Sequence, residues 1–135
     1  MSETAISLAA RSAVQTALPA AIDWSDDRAD VRVDKLDAFV VTLVRDASEP
    51  AAMGSPLEDV QLTLEIEVFG TYTTAQNGRT LIGDKALAAR DAVRVDSAIS
   101  AFCYRIQGAA FDVEIAAGQT RLARASATLS LSAEF

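Results

Sequence analysis

A chain of 135 residues with a net charge of −7 and no histidine excludes more functions than it names. The length fits one domain, residues 1–135, able to bury roughly two-thirds of its unfolded surface without a metal or disulfide staple. Nineteen carboxylates against twelve Lys and Arg argue against gripping DNA or an anionic membrane, and the lack of histidine removes the commonest general base, nucleophile partner and metal ligand.

In chain order, residues 2–18 are predicted to form a helix. Ile6, Ala10, Ala13, Val14 and Ala17 recur at spacings of three and four, Ser2 is placed to cap the start, and Pro19 stops continuation. Residues 22–37 form an aspartate-rich connection in which Val31 and Val33 imply a short edge strand. Residues 38–44 read as a strand covered on both faces, with Phe39, Val41 and Leu43 opposing Val40 and Val44. Ser48, Pro50, Gly54, Ser55 and Pro56 mark a long connection over 46–58. It is the first candidate for a partner contact, through Ser48, Pro50, Met53 and Gly54.

Residues 59–69 alternate most clearly, Val60, Leu62, Leu64, Ile66 and Val68 against Gln61, Thr63, Glu65 and Glu67. A second loop, 70–83, carries the turn signal Asn77-Gly78 and offers Asn77 and Arg79 as a further contact. Residues 84–102 read as one helix capped by Asp84, with Ala88, Ala92, Val95, Ile99 and Phe102 as its apolar stripe. Strands follow at 111–115 and 121–134. In the last, Ala125, Ala127, Leu129, Leu131 and Ala133 share a face, and parity adds Phe135 to it. The expected class is α+β: a mainly antiparallel sheet of four to five strands with two helices packed on one face.

The motifs that imitate chemistry have simpler readings. Glu65 and Glu67 share one strand face, whereas paired catalytic carboxylates normally come from different elements flanking a cleft. A calcium loop begun at Asp23 would put Arg28 where glycine is required. Gly78 to Gly83 opens like a phosphate loop but continues with Asp84 instead of lysine. Cys103 lacks a histidine partner and reads as a small buried thiol. Trp24 reads as a plug at the helix-to-strand junction or as an interface anchor. No residue is put forward as catalytic, cofactor-binding or metal-binding, and the expectation is a protein that is not an enzyme. The start, Met1-Ser2-Glu3-Thr4, does not resemble a secretion signal, and no apolar run spans a membrane. What remains is a polar sheet face bearing Thr63, Glu65, Glu67, Asp112, Glu114, Thr128, Ser130 and Ser132.

Three segments carry a likeness to a known family. They are Leu64-Glu65-Ile66-Glu67-Val68-Phe69, the acid-started helix after it, and the final strand ending Leu129-Ser130-Leu131-Ser132-Ala133-Glu134-Phe135. In these the chain resembles the tail terminators of long-tailed phages, which show a similar acidic–apolar run and a similar final strand. The likeness covers the second half of the chain better than the first and transfers no contact residue. It implies a homo-hexameric ring that caps the tail tube, stops tube polymerisation and offers the surface for head–tail joining. The expected partners are further copies of the chain, the tail tube protein and the head–tail connector protein, with DNA passing through and no membrane involved. The expected place is the head-proximal end of the virion tail, after assembly in the host bacterial cytoplasm. Glu65 and Glu67, with Asp112 and Glu114, then become candidates for the lumen or a subunit contact. Two other readings stay open: another phage neck or head–tail connector protein, or a small-ligand-binding α+β module.

Overall fold

A computed structural model describes residues 3–26, 37–54, 56–73, 77–115 and 122–135. The element order is α1 (Glu3–Ala17), β1 (Ile22–Asp23), β2 (Ala38–Pro50), β3 (Glu58–Thr71), α2 (Gly78–Arg94), α3 (Ser97–Phe102), β4 (Cys103–Ile115) and β5 (Leu122–Glu134). The five strands form one sheet in the order β1-β2-β3-β5-β4, antiparallel except for the short parallel pair β1–β2. The fold is α+β.

Period-two alternation decides which face is dry. Val60, Leu62, Leu64, Ile66 and Val68 of β3 and Ala125, Leu129, Leu131 and Ala133 of β5 form one core with Phe39 and Val41 of β2. The same core receives Ile6, Ala10 and Val14 of α1, Ile82, Ala86, Ala89 and Val93 of α2, and Ile99 of α3. All three helices therefore cover one face. Each large aliphatic side chain buried there contributes roughly 1.5–3 kcal/mol. Alanines in β5 let α2 lie close to the sheet, and Phe135 packs against the same core.

Several boundaries differ from those the sequence implies. β2 continues to Pro50 because its ladder with β3 runs on to Pro50↔Glu58, past a bulge between Arg45 and Ala47. Ser48 and Pro50 are thus strand residues, and the connection shrinks to 51–57. Pro50 is tolerated at a strand end, where no ladder N–H is needed. Val44, expected to be covered, is 51% exposed, while Val40 is buried.

The single helix predicted at 84–102 is two helices. Asn77, not Asp84, caps α2, accepting from the Thr80 N–H at 3.2 Å. Gly78–Gly83, read as a turn, forms the opening of that helix. Asp96 caps α3 through the Ile99 N–H at 3.1 Å. The buried stripe of α2 is Ile82, Ala86, Ala89 and Val93, and Val95 and Ala88 face outward. Alanines on both sides of α2 satisfy either register, so the large side chains Ile82 and Val93 decide.

β4 begins at Cys103, eight residues before the predicted strand. Its ladder with β5 shifts register between Cys103 and Arg105 and between Gly108 and Ala110, which blurs alternation along the chain. The expected strand at Val31 and Val33, and the cap at Ser2, lie outside the described residues. The edge strand that is described, β1, sits just ahead of that segment. It is held by a relay in which Arg11 Nε donates to Asp23 at 2.8 Å, Ser25 Oγ donates to Asp23, and Val41 N–H donates to Ser25 Oγ at 2.9 Å.

Candidate functional site

The sheet face away from the helices is the candidate site, and cross-strand register assembles it. Residues directly opposite in a ladder point the same way. Glu67 faces Val40 on one side and Ser126 on the other, Ser126 faces Asp112, and Arg124 lies between Phe69 and Glu114. Four carboxylates from two strands, Glu65, Glu67, Asp112 and Glu114, consequently share one patch.

An arginine missed in the sequence reading organises that patch. Arg124 places Nε 2.7 Å and Nη2 2.6 Å from Glu67 Oε2. Its Nη1 lies 3.6 Å from Glu114 and its Nη2 3.9 Å from Glu65. Glu67, expected on a solvated face, is only 1% exposed. A carboxylate this deep needs a close cation, since its desolvation is otherwise uncompensated. Parity with Ser126 puts Arg124 on this face, but the β3–β5 register is needed to bring it to Glu67. Asp112 and Glu114 are exposed. Among the described residues, four carboxylates surround this guanidinium.

Beyond it, hydroxyls continue the face. Thr63 stands opposite Ser130 and Glu65 opposite Thr128. Ser132 Oγ donates to Gln61 at 2.7 Å, and Thr63 Oγ1 donates to Asp46.

The two predicted contact loops are not brought together. Met53 and Gly54 lie in the β2–β3 turn, where Gly54 takes φ +78° and Met53 is fully exposed. Asn77 and Arg79 follow the opposite end of β3. There Arg79 Nη1 donates to the Val113 carbonyl of β4 at 3.1 Å, so it braces α2 against the sheet edge instead of extending from a loop.

Other candidates resolve simply. Asp23 and Asp26 both engage Arg11; the remaining aspartates of the supposed calcium loop lie outside the described residues. Among the described residues no three metal-ligating side chains cluster. Cys103 is buried, and burial pushes its thiol up, away from the reactive thiolate. Trp24 is half-buried beside β2, its backbone N–H donating to the Phe39 carbonyl at 2.9 Å. No described helix is long and apolar enough to cross a membrane.

One groove of about 410 Å³ lies between the end of α1 and the start of α2, lined by Leu18, Ala21, Val68 and Leu81. At its rim Lys85 Nζ meets Asp37 at 3.1 Å. The sequence matches no known family model and no curated protein.

Proposed function

We propose that this chain is a structural virion protein, the tail terminator of a long-tailed phage. It forms a homo-hexameric ring that caps the tail tube, stops its polymerisation and presents the surface for the head–tail connector. The supporting observation is the division of the sheet into a face sealed by three helices and an opposite polar face on which Glu65, Asp112 and Glu114 reach solvent around the buried Glu67–Arg124 pair. In a ring with the helices outward, that face lines the lumen. Its carboxylates repel DNA phosphates, so the genome slides through without adhering. Heterologous contacts between identical subunits close such a ring without any chemistry.

The test is light scattering across a concentration series, with and without purified tail tubes. Hexamers, or addition of subunits to tube ends only, are the expected result. A monomer that ignores tubes at every concentration would overturn the reading. The groove beside Lys85 and Asp37 favours the alternative of a small-ligand module, which then becomes the working reading.

A further inference from the structure

Resting on the ring reading, we infer how the copies join: β4 of one subunit pairs antiparallel with the free upper part of β2 of the next. Among the described residues the sheet has two open edges. β4 closes one side, and on the other β1 pairs only with Ala38 and Phe39. Among the described residues, no strand lies along β2 from Thr42 to Pro50. An open edge presents unpaired N–H and C=O groups to any strand that fits.

Strand direction makes a second copy fit. β2 and β5 run one way, β3 and β4 the other. Setting β2 of a second copy beside β4 continues the alternation and keeps all helices on one side. The contact joins two different surfaces, so it is heterologous and propagates until the ring closes.

Charge fixes the height. Through the ladders, Arg105 is level with Ser132, Gln61 and Ala47. Asp46 and Glu49 flank Ala47, with Asp59 and Glu134 on the same face nearby. Arg105 is exposed and makes no ion pair among the described residues. A neighbour placed at equal height brings Arg105 into this acidic corner. Arg79 on the Val113 carbonyl blunts the lower part of β4, leaving its upper part, near Arg105, for the neighbour. Opposite charges across an interface set register and exclude wrong partners.

The experiment uses two variants, Arg105→Glu and Asp46→Lys/Glu49→Lys, with circular dichroism to confirm that each folds. Each alone should associate at least roughly ten-fold more weakly than the parent chain, with or without tubes. An equimolar mixture should recover assembly, because alternating copies place opposite charges at every junction. Rings indifferent to both variants, or a dimer indifferent to Asp46 and Glu49, would overturn this edge contact and leave the ring reading standing. Open filaments that obey the charge rule would support the contact and overturn the ring. No self-association under any condition would overturn both.

Discussion

At the scale of single residues, the Glu67–Arg124 pair sets the sharpest expectation. Removing one partner of a buried ion pair strips the other charge of its nearest counter-ion, which costs more than the pair itself contributes. Arg124→Met should lower unfolding stability by about 2–3 kcal/mol, read as a urea midpoint shift at unchanged slope. Adding Glu67→Leu should restore most of the loss, since an apolar pair replaces the buried charges. A double variant no better than the single would contradict this account. Asp23 offers a test in pH. Burial acts to raise its carboxyl, but hydrogen bonds from Ser25 and Arg11 outweigh it and hold the group below its ordinary value of 3.8. A folded-state value below the unfolded one stabilises the protein above the unfolded value, and that contribution fades as pH falls through the folded one. Asp23→Asn should therefore flatten the acid limb of stability under about pH 4, leaving neutral-pH behaviour to report only the lost hydrogen bonds. Urea midpoints from pH 2 to 5, at intervals of roughly half a unit, read it directly; an unchanged slope would refute it.

Among the elements, α2 shows how local chemistry sets a boundary. Asn77→Ala should cost about 1 kcal/mol by removing the acceptor for the Thr80 N–H. Asp84→Ala, at the position the sequence favoured as cap, should stay within about 0.5 kcal/mol because Asp84 is exposed inside the helix. Thermal unfolding of the two variants separates them, and equal losses would reject the assignment of the cap. The contrast also shows what was legible. β3, β5 and α1 were readable because their large apolar residues alternate or recur without competitors. The start of β4 was not, since Gly108, Ala109 and Ala110 carry no face preference and two bulges break the period. The end of β2 was hidden by Ser48 and Pro50, loop-forming residues held in a ladder by β3. Gly78 passed for a turn residue, yet it opens a helix against Tyr72. A side chain there would place Cβ 2.5 Å from the ring, a packing demand that sequence alone does not display.

At the scale of the whole molecule, the α+β class and the polar face were both legible, since each follows from strand parity. The grouping of Glu65, Glu67, Asp112 and Glu114 was half legible. Parity assigned the face, but only the order β3-β5-β4 puts β5 between the two acid-bearing strands and threads Arg124 among them. The candidate contact loops, by contrast, were chosen for composition, and composition does not report that 51–57 and Asn77 lie at opposite ends of β3.

That strand order has a consequence for how the protein is made. β5 is the bridge between the β2–β3 hairpin and β4, yet it is the last of the five strands to be synthesised. Until β5 is in place, the β2–β3 hairpin leaves one flank of β3 unpaired, and β4 has no strand neighbour among the described residues. The sheet is complete only once β5 lies between β3 and β4. A chain in which β5 has not yet docked offers the unpaired flank of β3 as a template to other chains in the same state, so docking of residues 122–134 is where misassembly is expected to compete with folding.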